Sequence, residues 1–139
     1  MPAKTITLRV PSNIPKKKIE EFIKKLELEE KFKKTEEFKL FVKDEDWKMN
    51  VYKVAEFVEN YLKKKYPDEN FEIVLDYDGI DDMFVIRVVF EREDVKDVNA
   101  RIKRVHDIID DVRLKCHEKF FDLMFHVLVT HDWKGVVNV

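Results

Sequence analysis

FEIVLDYDGIDDMFVIRVVF, residues 71–90, is the stretch on which the fold turns. Apolar residues alternate on both sides of a centre rich in aspartate, so two half-buried strands and a reversal are implied, about 71–78 and 82–91. A two-residue loop at Asp78-Gly79 would set Leu75 against Asp82 and Asp76 against Asp81, burying one charge and pairing like charges. A four-residue loop, Asp78 to Asp81, sets Phe71 against Val88, Ile73 against Ile86 and Leu75 against Phe84. On the other face it sets Glu72 against Arg87 and Val74 against Val85. A five-residue loop puts Ile73 opposite Arg87 and fails on parity. The four-residue turn is the expectation, with Gly79 bending through positive φ.

That reading also weighs the aspartates. Asp76, Asp78 and Asp82 are the candidate metal ligands, because crowded carboxylates attract hard cations. Counted as a calcium loop from Asp76, the twelfth position is Arg87 instead of the glutamate such loops need, so a hairpin tip is preferred.

Outward from the hairpin, TITLRV alternates as a strand over about 5–10, closed by Pro11. Ile19, Phe22, Ile23 and Leu26 form a helical stripe after Pro15, and the helix is extended over about 15–42, although 31–43 also reads as a strand. A second helix, about 46–65, begins at Asp44 or Asp46, carries Val51, Val54, Ala55, Val58, Tyr61 and Leu62, and stops before Pro67. A third, about 94–116, is capped by Asp94 and striped by Val95, Val98, Ile102, Val105, Ile109, Val112 and Cys116. FFDLMFHVLVT reads as a strand over about 119–130.

The order strand, helical pair, strand, strand, helix, strand is that of an α+β, ferredoxin-like β-α(α)-β-β-α-β domain. A four-stranded antiparallel sheet with helices on one face is expected, within a single domain spanning 1–139. The fold alone supports no activity.

Composition narrows the function classes. Charged residues make up 40% of the chain and net charge is −2, which argues against bulk affinity for nucleic acid or membrane. Residues 1–66 hold 17 Lys/Arg against 12 Asp/Glu, and 67–139 hold 10 against 17, so the front is basic and the back acidic. The single cysteine, Cys116, excludes an internal disulfide and suits a reducing cytoplasm. No apolar run approaches the ~18 residues of a membrane span, and no signal-peptide core precedes the first strand. The absence of glutamine, and lysine and glutamate at most exposed positions, match a protein from a heat-loving organism.

Catalytic patterns are missing. The four histidines show no zinc spacing, His126 and His131 falling on opposite strand faces, and one serine and two glycines leave no phosphate loop or nucleophile elbow. Asp122 with His126 is the nearest acid–base pair.

KTITLRVPSNIPKKKIEEFIKKL, residues 4–26, resembles the opening of ribbon–helix–helix regulators and of small archaeal antitoxins. The resemblance implies DNA contact through the outward residues Thr5, Thr7 and Arg9. No glycine-containing turn and capped second helix follow at the family's distance.

The favoured reading is a cytoplasmic, non-enzymatic regulatory or protein-interaction module acting as a homodimer, with no cofactor. Its expected interface is the sheet face away from the helices, formed by Val74, Val85, Arg87, Val89, Met124, His126 and Leu128. Helix 95–116 is the alternative seam. A DNA-binding regulator using the basic front, and a metal-dependent hydrolase at the aspartates, are the alternative functions.

Overall fold

The computed structural model describes residues 13–91 and 96–135. The expected strand at 5–10, the residues Thr5, Thr7 and Arg9, and the expected cap Asp94 lie outside them. The chain divides into two compact units, residues 1–31 and 32–139.

In the first unit, α1 spans Lys16–Lys31. Pro15 stands just before it, and its carbonyl accepts from the N–H groups of Lys18 and Ile19. Proline suits this place because the helix start leaves its own N–H groups unpaired.

The second unit begins where the long helix of 15–42 was expected to continue. The helix ends at Lys31, and Lys33–Lys34 form a two-residue strand, β1. Thr35 then starts a new helix, α2, Glu36–Phe41, its hydroxyl accepting from the Phe38 N–H. Threonine followed by two glutamates is a strong N-terminal signal, and it outweighs the helical spacing of the phenylalanines.

The third helix, α3, runs Glu45–Lys65, with the Asp44 carboxylate accepting from Trp47 N–H and three lysines in its last turn. Strands β2, Phe71–Asp78, and β3, Met83–Phe90, form an antiparallel hairpin. After it come α4, Val98–Lys119, a 3₁₀ turn at Leu123–Phe125, and β4, Val127–Trp133.

The sheet order among the described residues is β1-β2-β3-β4, and the sheet is mixed: β1–β2 and β3–β4 are parallel and only β2–β3 is antiparallel. The α+β class therefore stands, and the all-antiparallel sheet is corrected. The physical reason is α4. Its 22 residues carry the chain back along the sheet, so β4 starts at the same end as β3 and pairs beside it.

Two further expectations shift. FFDLMFHVLVT is not one strand: Phe120 caps α4, the 3₁₀ turn follows, and β4 begins only at Val127. Met124 and His126 therefore lie ahead of the sheet. Helix α4 starts at Val98 under an Asp97 cap, later than residue 94. In its first turns Val98 and Ile102 are exposed while Arg101 is buried, so the stripe swings around the helix there.

Register assigns the faces. Phe84, Ile86, Val88 and Phe90 of β3 pair with Val127, Val129, His131 and Trp133 of β4. Trp47 of α3 stacks on Phe84, and His106 of α4 meets His131, so both helices cover this face. The core lies between, and Val54, Val58 and Leu62 of α3 and Leu75, Ile86 and Phe90 of the strands are among its fully buried members.

Val74, Val85 and Val89, on the other face, were expected to be open. They are only 0%, 4% and 6% exposed. Met124 is buried too, and of the apolar residues in the expected interface Leu128 alone is exposed. Among the described residues no helix is long and apolar enough to cross a membrane.

Candidate functional site

The hairpin turn has the expected length but a different place. Asp78 pairs with Met83, so the loop is residues 79–82, and Ile73 faces Val88 while Leu75 faces Ile86. Parity is kept, and each residue's partner lies two positions further along the opposite strand. Four contacts hold this register. The Asp78 carboxylate accepts from the N–H groups of Ile80 and Asp81, and Tyr77 packs on Phe84. The Tyr77 hydroxyl donates to Asp82. Asp82, at φ 52°, takes the left-handed conformation that was assigned to Gly79. Aspartate tolerates it better than most side chains.

The three candidate aspartates go three ways. Asp78 serves the turn and Asp82 holds Tyr77. Asp76 points to the opposite sheet face, where Thr35 Oγ1 donates to it at 2.6 Å and Arg87 Nε at 2.8 Å. Arg87 also reaches Asp132 at 3.4 Å, whereas Glu72, its expected partner, pairs with Lys33. Among the described residues no group of three or more His, Cys, Asp or Glu is placed to hold a metal ion.

Two polar knots that the sequence did not reveal tie the helices. Asp111 on α4 accepts from Tyr61 and Tyr66 hydroxyls and from Lys65 Nζ, the last two at 2.7 Å. Glu69, only 3% exposed, accepts at 2.8 Å from both Arg101 Nη1 and Arg104 Nε. Burial pushes the carboxyls of Glu69, Asp76 and Asp111 upward, but their hydrogen bonds outweigh it and all three end below the ordinary range. Cys116 is buried, which pushes its thiol up to about 12 and leaves it unreactive.

His131 on β4 packs against His106 of α4. Burial, then the neighbouring His106 and Arg113, hold it below its ordinary value of 6.5. The folded state therefore resists protonating it, and stability present above that value is lost as pH falls. The three carboxylates act in the same direction lower down, from ordinary values of 3.8 to 4.5. Melting temperature should accordingly drop in two stages on acidification, first below pH ~6.5 and then below ~4. His131→Asn should diminish the first stage and leave the second; a first stage unchanged in that variant contradicts this assignment.

At the hairpin end of the sheet lies a cavity of about 350 Å³ lined by rings and charges. Trp47 stacks on Phe84 at 5.0 Å, His126 meets Trp47 edge-on at 5.1 Å, and Tyr77 lies 5.8 Å from Phe84 and 6.2 Å from Phe41. Asp44, Asp82 and Lys43 supply the charges. His126, expected on the sheet face, thus belongs to this cavity, and Asp122, its expected acid–base partner, begins the 3₁₀ turn. A second hollow of about 530 Å³, between Lys53, Phe57, Lys64 and Lys119, is more open and more apolar.

No family model matches the chain. It is 62% identical over 136 residues to "Uncharacterized protein MJ0991" of the archaeon Methanocaldococcus jannaschii, covering 95% of this chain and 94% of the relative. The chain belongs to the family of that protein. No solved structure matches it. The likeness to ribbon–helix–helix openings is confined to residues 4–26, whose expected strand falls outside the described residues.

Proposed function

We propose that this chain is a non-enzymatic protein-interaction module that acts as a homodimer in the cytoplasm. The observation that carries the reading is an exposed apolar patch at β4 and the turn before it. Phe121, Phe125 and Leu128 are 63%, 65% and 42% exposed, and the two phenylalanine rings meet edge-on at 5.2 Å. Large aromatic side chains clustered in water are the usual anchors of an interface. A two-fold pairing would bury the same patch on both copies.

The patch replaces the expected interface, whose valines are interior. Leu128 is common to both. Backbone augmentation at β4 is disfavoured, because the outward Val129 carbonyl already accepts from Arg113 Nε at 2.6 Å. Side chains, therefore, would form the contact. The buried thiol of Cys116 suits a reducing compartment.

Light scattering at high micromolar concentration should find the wild type dimeric and the Phe121→Asp/Phe125→Asp variant a folded monomer. Both positions are exposed, so the variant should melt within a few degrees of the wild type. A monomeric wild type, or a dimer that survives both substitutions, refutes the reading.

A further inference from the structure

The cavity at the hairpin end plays no part in the dimer reading, and its chemistry is specific. Four elements each send an aromatic side chain to it: Phe41 from α2, Trp47 from α3, Tyr77 from β2 and Phe84 from β3. Trp47, Tyr77 and Phe84 stay half-buried there instead of completing the core. Its volume of about 350 Å³ sits at the low end of small-ligand pockets, which run ~300–1,000 Å³.

The electrostatics choose among guests. Asp44 and Asp82 both line the space, and each is held in place: Asp44 by the Trp47 N–H, Asp82 by the Tyr77 hydroxyl. Asp78 and Asp81 stand in the same turn as Asp82, and Glu45 and Asp46 follow Asp44. Against them the lining holds one lysine, Lys43. The positive end of α3 also points here, but Asp44 caps it and Glu45 and Asp46 in the first turn offset it.

An anion would meet mostly carboxylates. A neutral apolar guest would strip water from Asp44 and Asp82 and return nothing. A small metal ion would gain little from the rings, and no cluster of three ligands awaits it among the described residues. A cation with a weakly held hydration shell gains from both ring faces and carboxylates. We propose that the cavity binds a small methylated ammonium ion, its charge against the rings of Trp47, Phe84 and Tyr77 and balanced by Asp82 and Asp44.

The test uses choline and its uncharged isostere 3,3-dimethylbutan-1-ol. With Trp133→Phe, Trp47 is the sole tryptophan and its emission reports the cavity. Choline, titrated at constant ionic strength, should give a saturable change, with affinity at least about tenfold above that of the isostere. Asp82→Asn should weaken choline severalfold and leave the isostere unchanged; asparagine tolerates the left-handed backbone at this position. In the unsubstituted protein, choline should shift the indole N–H resonance of Trp47, which keeps the test independent of how Trp133→Phe folds. The Phe121→Asp/Phe125→Asp variant should bind choline as the wild type does, separating this site from the dimer contact. Equal affinity for choline and the isostere, tighter binding of adenosine than of choline, or no response to millimolar choline in either experiment would overturn the proposal.

Discussion

Arg101→Met is expected to lower the free energy of unfolding by about 3–5 kcal/mol, the usual cost of removing one member of a buried ion pair. Glu69 and Arg101 are 3% and 8% exposed at their side chains, and their contact is 2.8 Å. Without Arg101, the Glu69 carboxylate keeps only the half-exposed Arg104 on one oxygen. Its other oxygen, Oε2, is buried with no hydrogen-bond partner among the described residues. Burial would then dominate, and the folded-state pKa of Glu69 would rise above its ordinary 4.5. A raised pKa stabilises below the unfolded value and is lost as pH increases, so the deficit of the variant should be smaller near pH 4 than at pH 7. Glu69→Leu combined with Arg101→Met should recover most of the loss, because no charge is left buried. Chemical denaturation of the three variants at both pH values checks the set. A double variant as unstable as the single one would show that shape, not charge, is what Arg101 supplies.

That pair also marks where sequence patterning stops. The stripe of α4 read from apolar residues alone places Val98 and Ile102 inward and leaves Arg101 out of account. In the fold Arg101 turns in to Glu69 and lies over Trp133, and the two apolar residues face water. No periodicity rule finds a buried arginine whose partner stands 32 residues earlier. α3, in contrast, was legible because its signals are local: an aspartate cap, an apolar stripe, three lysines and a proline after it.

The hairpin was legible in its faces and loop length and not in its register. Alternation fixes parity, but the choice between two registers of equal parity rests on Asp78 closing the turn and on Tyr77 against Phe84. β4 was misplaced because Phe121, Leu123 and Phe125 alternate before the strand begins. The parallel pairing of β3 and β4 was hidden for the same reason that the cavity was: both depend on where α4 and α3 deliver distant residues. Trp47, Tyr77, Phe84 and His126 meet from four separate segments, and nothing in any one of them announces the others.

The sheet face opposite the helices gives the second large effect. Were Val85 part of an open interface, Val85→Glu would yield a folded monomer. At 4% exposure Val85 is instead an interior position, on β3 between Asp76 of β2 and Leu128 of β4. Asp76, directly opposite it, already carries a negative charge, balanced by Arg87 and hydrogen-bonded by the Thr35 hydroxyl. A glutamate there must either be buried as an anion beside Asp76 or take up a proton, and both are costly. The expected loss is about 4 kcal/mol or more, in the range reserved for buried unpaired charges. Circular dichroism should show Val85→Glu largely unfolded or melting far below the wild type. Val85→Ala should lose only about 1–3 kcal/mol and stay folded. Acid should narrow the gap between glutamate and alanine variants as the new carboxyl and Asp76 protonate together. A Val85→Glu protein that melts like the wild type would place this face in water after all, and would return the dimer seam to it.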